Sequence, residues 1–199
     1  IVPETQPLFI PTSTPTTPPE SYIHEAEQLE REGKLSRAIE LYQKAIDSDP
    51  KNSSTYINIA KLQIFETDYD NALKNAENAI LLNSNNAVAH AIRGWALGKQ
   101  GNYLDAETAF NRALEIDPNN ALTYAYQTEV LVEQINNGED SLNTLEKATE
   151  YSRLGVTNGN NLMETHRARG LLLEITGNYE DAINEFQIAI SMNPNIADL

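Results

Sequence analysis

The sequence predicts an all-α fold, an α-solenoid of antiparallel helix pairs preceded by an extended Pro/Thr-rich segment. Three observations carry this reading. Pro50 in "DSDPKN" and Pro118 in "EIDPNN" lie 68 residues apart, twice 34, and Ser84 in "LNSNN" marks the same turn midway without its proline. Alanines recur in one register, with Ala38, Ala72, Ala106 and Ala182 at one place in each interval and Ala45, Ala79, Ala113 and Ala189 at another. Between them run i, i+3, i+4, i+7 stripes, the mark of a helix with one buried face. A fixed period of this length signals a stack of similar units, each too small to bury its own apolar face.

The Pro/Thr-rich segment, residues 1–18, comes first. The stretch "IVPETQPLFIPTSTPTTPPE" holds six of the nine prolines, five threonines and no basic residue. Proline fixes φ and removes a backbone donor, so an extended spacer or arm is expected, about 60 Å long if fully stretched. Leu8, Phe9 and Ile10 would let it dock on the first helices.

The array follows over residues 19–199, with units at 19–52, 53–86, 87–120 and 163–196 that align without gaps and a stretched unit at 121–162. Position 8 of the regular units is Ala26, Ala60, Gly94 and Gly170. Small residues there, facing those at 20 and 27, let the paired helices approach closely. Position 15 is Gly33, Thr67, Gly101 and Gly177, where a left-handed residue is expected to end the first helix. Proline near position 32 stops the second helix.

In the stretched unit the first helix opens normally at "ALTYAYQTEVLVEQI". Ser141, Leu145 and Ala148 are assigned positions 20, 24 and 27, which places most of the extra length late, in a second helix running to Gly155 and a loop "VTNGNN". Such an expansion is either a tolerated surface insertion or a device that alters the superhelix or contacts a partner.

This set of positions resembles the tetratricopeptide repeat (TPR) family over nearly all of the chain beyond the leader. The resemblance implies a right-handed superhelix whose concave groove, lined by positions 2, 5, 9, 12 and 13 of the first helices, receives a peptide. Carried onto this chain, the candidate groove residues are Ile57, Lys61, Phe65, Ala91, Trp95, Lys99 and Glu129, with Tyr126 flanking them. The last unit contributes Glu164, Arg167, Leu171 and Ile175 to the same row. The family's clamp for chaperone C-terminal carboxylates is not expected, because of its Lys, Asn and Arg positions only Asn58 is matched.

The composition narrows function further. There is no cysteine, so disulfides, thiolate metal sites and thiol nucleophiles are excluded. A net charge of −15 disfavours binding to phosphate backbones, which rests on Lys and Arg. No apolar run approaches the roughly 20 residues of a membrane helix. His90 and His166 fall at position 4, a packing slot, and "TDYDNA" and "DSDPKN" lack the glycine and terminal glutamate of a calcium loop. No motif marks a catalytic constellation, so neither enzyme activity, nor a cofactor, nor a metal is expected.

The expected function is a noncatalytic protein–protein interaction scaffold binding a peptide or protein segment in its concave groove. The alternatives are a regulatory or substrate-recruiting region of a larger enzyme, or a self-assembly module joined through an uncapped last repeat, with Ile183, Phe186 and Ile190 on the open face. A first residue other than Met suggests a piece of a longer protein, and the leader suggests an extracytoplasmic, membrane-anchored or secreted bacterial setting. Trp95, the single tryptophan, either touches a partner in the groove or packs across neighbouring first helices. If it touches a partner, Trp95→Ala would abolish binding and leave the thermal midpoint nearly unchanged.

Overall fold

The computed structural model describes residues 17–139 and 141–195 and is built of α-helices in antiparallel pairs. The pairs are α1 (Pro19–Arg31) with α2 (Leu35–Ser48), α3 (Ser53–Phe65) with α4 (Tyr69–Leu82), and α5 (Ala87–Lys99) with α6 (Tyr103–Ile116). They continue with α7 (Ala121–Asn137) and α8 (Thr144–Asn158), then α9 (Met163–Ile175) and α10 (Tyr179–Met192). The described residues form no strand, and none of their helices is long and apolar enough to cross a membrane. Most of the Pro/Thr-rich leader, with its Leu8-Phe9-Ile10 docking motif, lies outside the described residues, as do residues 196–199.

Local chemistry explains where the helices begin. Asn52, Asn86 and Asn120 sit just before α3, α5 and α7, and each side chain accepts a hydrogen bond from a first-turn N–H. Asp68 does the same for α4. Each such cap contributes about 1 kcal/mol relative to alanine. Packing explains the repeated small residues. Gly94 on α5 lies against the Phe110 ring on α6, and a Cβ there would come within 2.8 Å of the ring.

The turn inside a pair is made by one left-handed residue. Gly33, Gly101 and Gly177 adopt φ of 72°, 78° and 79°, and Thr67 takes the same role at 61°. A β-branched residue is strained there, whereas glycine is not. Thr67→Gly is therefore expected to stabilise the protein by about 1 kcal/mol, seen as a higher midpoint in chemical denaturation. An unchanged or lower midpoint would mean that the Thr67 conformation carries no strain.

The fourth pair corrects the register expected from sequence. The buried residues of α8 are Thr144, Ala148, Ser152 and Gly155, and the last three are spaced like Ala38, Tyr42 and Ala45 of α2. Ser141 and Leu145 are exposed and do not hold positions 20 and 24. The added length instead precedes Ala148. α7 has 17 residues where the other first helices have 13, the connection to α8 is longer, and α8 begins one residue earlier relative to its buried face. Matching Ala148 to the wrong alanine moved the whole second helix by two turns.

The array curls back on itself. Arg167 on α9 reaches the ring of Phe65 on α3, with the guanidinium carbon 5.2 Å from the ring centroid. At the edge, Asn195 Nδ2 donates to the Arg31 carbonyl at 2.7 Å, and a Cβ on Gly33 would collide with the Asn195 backbone carbonyl. Residues 164 apart in sequence thus close the described array.

Candidate binding surface on the concave face

The first helices α5, α7 and α9 pack side by side, and α3 lies beside α5, so residues at equal register on successive helices meet across the concave face. Trp95 stands at the centre. Its ring stacks on Tyr126, with centroids 4.2 Å apart and planes 5° apart, and Phe65 meets it edge-on at 5.4 Å. The indole Nε1 donates to Glu129 Oε2 at 3.1 Å, and Arg167 Nη2 donates to the same oxygen at 3.1 Å. The guanidinium lies 5.7 Å from the Trp95 ring. An aromatic trio is thus joined to a buried ion pair whose cation faces two aromatic rings.

Burial divides the sequence-derived candidates into two groups. Ala91, Trp95 and Tyr126 are 0% exposed, Glu129 2% and Phe65 7%, so they form a floor sealed by its own neighbours. Ile57, Lys61 and Lys99 are half-buried and form a rim. Lys61 Nζ pairs with Glu30 at 2.7 Å, and Lys99 Nζ pairs with Glu133 at 2.8 Å. All eight therefore lie along one face, but Trp95 packs across neighbouring first helices and is closed to a ligand in this conformation. The expectation that Trp95→Ala would leave the thermal midpoint unchanged fails on that burial, because truncation would empty the middle of the core.

The electrostatics follow from this enclosure. Burial pushes the Glu129 carboxyl above its ordinary value, although Arg167, Lys99 and the Trp95 hydrogen bond all favour the charged form. Burial, together with the nearby Glu164 and Glu129 carboxylates, raises the Tyr126 hydroxyl well above its usual range. At the rim, burial works against charge on Lys61 and Lys99. Glu30 and Glu164 at Lys61, and Glu129 and Glu133 at Lys99, outweigh it and hold both ammonium groups above their ordinary values. The floor is incompletely satisfied, since Tyr126 OH, Glu129 Oε1 and Arg167 Nη1 are buried with no hydrogen-bond partner.

Arg167 is the residue that sequence reasoning placed in the row without giving it weight. Its signal was a cation at a position filled elsewhere by Ile23, Ile57, Ala91 and Ala125, with an acid, Glu129, one helical turn beyond that position on the preceding first helix. His90 and His166 pack at repeat turns, donating through Nε2 to the Ser84 and Asn160 carbonyls respectively, and His166 Nδ1 also meets Glu185 at 2.6 Å. On α10, Ile183 and Ile190 are exposed while Phe186 lies against Gly170. Among the described residues, no group of three or more His, Asp or Glu side chains could hold a metal ion.

Known proteins share this architecture. Models of the family described as tetratricopeptide repeat match residues 19–52, 87–120 and 168–196. The DnaJ homolog subfamily C member 7 homolog of Schizosaccharomyces pombe is 27% identical over 87% of this chain, and the match spans only 39% of that protein's own length. The structure of a thermophilic TPR protein from Thermus thermophilus superposes with a TM-score of 0.69 at 18% identity, covering 88% of this chain and 92% of that one. The first TPR of Spaghetti, solved bound to an HSP90 peptide, gives a TM-score of 0.55 at 23% identity over 61% of this chain and 95% of that one. With family models matched at both ends and in the middle, and further antiparallel helix pairs between them, the chain belongs to the tetratricopeptide repeat family.

Proposed function

We propose that the chain is a noncatalytic interaction scaffold that holds a segment of another protein along the rim of its concave face. The observation that carries this is the pair of half-buried rim lysines, Lys61 and Lys99, each held to a carboxylate on a neighbouring first helix. Both pairs lie beside an apolar floor and have charged partners that a ligand's own charges can replace. Partly desolvated charges of this kind give orientation and specificity to a bound segment. The TPR of Spaghetti, which shares the fold, was solved with a peptide bound, and that supports the same class of role here.

The test is site-specific photocrosslinking in the host cell, with a photoreactive residue at Lys61 or Lys99 and, as control, at exposed Arg112 on α6. The expected result is one discrete crosslinked protein from both rim sites and none from Arg112. Crosslinks only from Arg112, or none from the rim, would exclude the concave rim as the binding surface.

A further inference from the structure

One cleft in the described surface lies between second helices, away from the row of candidate residues. α6 touches α7 along much less of its length than α4 touches α5, and α8 stands further along because of the expansion before Ala148. The resulting cleft between α6, α7 and α8 has a volume of about 240 Å³. Tyr103 and Phe110 of α6, Val130 of α7 and Tyr151 of α8 supply its apolar walls. Gln127 also lines it; this side chain is 4% exposed, and its Oε1 is buried without a hydrogen-bond partner. At the mouth stand Glu107 and Glu139 against a single Lys147, which pairs with Glu107 at 3.3 Å.

We propose that this cleft anchors one tryptophan side chain from a basic segment of a partner protein. The inference rests on the reading of the chain as an interaction module and adds a second site to it. Size decides against a cofactor or metabolite, because such pockets run to about 300–1,000 Å³, whereas this one suits a single large side chain. Chemistry selects the anchor. The walls offer ring faces and edges, and the fully buried side-chain atom among the lining residues that lacks a partner, Gln127 Oε1, is an acceptor. Tryptophan has a large apolar body and a single N–H donor with no acceptor to leave unpaired. Charge selects its setting, because the mouth carries one more acid than base and the whole chain is at −15.

The probe is the peptide acetyl-Lys-Lys-Trp-Lys-Lys-amide, titrated into the isotope-labelled chain and followed by NMR, beside versions with Phe or Ala in place of Trp. The expected result is shifts confined to Tyr103, Gln127, Val130 and Tyr151. The Phe peptide should bind several-fold more weakly, and the Ala peptide at least tenfold more weakly. Gln127→Leu should abolish the advantage of Trp over Phe. It should also fold with an unchanged or higher melting temperature, since it removes an unpaired buried polar group. Tyr151→Ala, at the half-buried wall, gives an independent loss of affinity.

Equal binding of the Trp and Ala peptides, shifts at Lys61 and Lys99 instead of the cleft, or an intact Trp preference in Gln127→Leu would each overturn the proposal. Rim crosslinks together with a silent cleft would leave the scaffold reading standing and remove only this site.

Discussion

Trp95→Ala is expected to cost about 3–5 kcal/mol of stability, the range for truncating a fully buried aromatic. In a chain of this size that is a fall in melting temperature on the order of 10 °C. Three losses add. The cavity lies between α3, α5 and α7, where Tyr126 loses a stacked ring and Phe65 loses its edge contact. Glu129 loses the indole donor while remaining buried. Arg167 loses one of the two rings beneath it. Thermal melts by circular dichroism, with Trp95→Phe in parallel, separate these terms. The Phe variant should recover most of the packing and none of the hydrogen bond. A melting temperature within about 2–3 °C of wild type for Trp95→Ala, roughly 1 kcal/mol, would mean that the indole is not part of the core.

Glu129→Leu should be as damaging, for a different reason. Arg167 Nη2 donates to Glu129 Oε2, and among the described residues this is its only charged partner within ion-pair distance. Removing the carboxylate strands a buried guanidinium, which costs about 3–5 kcal/mol. Removing both charges should not. The double variant Glu129→Leu with Arg167→Met should return close to wild-type stability or above it, because well-packed apolar replacements of buried ion pairs are often neutral or better. Urea denaturation of the two single variants and the double variant completes the cycle, and additive losses would show that the two groups do not act as a pair.

Glu129→Gln adds a pH signature to that cycle. Burial holds the wild-type carboxyl above the ordinary value of 4.5, so the folded protein binds a proton there that the unfolded chain has already released. The Glu129 contribution is therefore most favourable in acid and declines as pH rises from about 4.5 through the raised folded-state pKa. The stability of wild type relative to Glu129→Gln should fall across that window and then level off.

Most of the helix framework was legible because it rests on residues with few alternatives. A residue ending the first helix at position 15 must adopt a left-handed backbone, and alanine or glycine at 8, 20 and 27 must face another helix. Both constraints survive in a single sequence. The fourth pair was misjudged because Ala148 fits either of two positions seven residues apart, and helical periodicity cannot separate them. The concave row was legible as a row but not as a sealed floor. Sealing depends on the curvature that carries Arg167 to Phe65, and curvature is set by small rotations between units that leave no local mark in the sequence. The α6–α7–α8 cleft was invisible for the same reason, since it arises from a poor fit between neighbouring pairs.

The contact of Asn195 with Arg31 and Gly33 bears on how the molecule comes apart. An open repeat array behaves as a chain of nearest neighbours, so its terminal units fray first and at little cost. Here the last turn is tied to the first pair, and Arg167 ties α9 to α3, so neither end opens without breaking contacts that span the sequence. Long-range ties raise the contact order and slow folding relative to a linear stack. They also make amide exchange at α1 and α10 depend on the same opening, so that the array unfolds as a loop being cut and not as a row being unzipped.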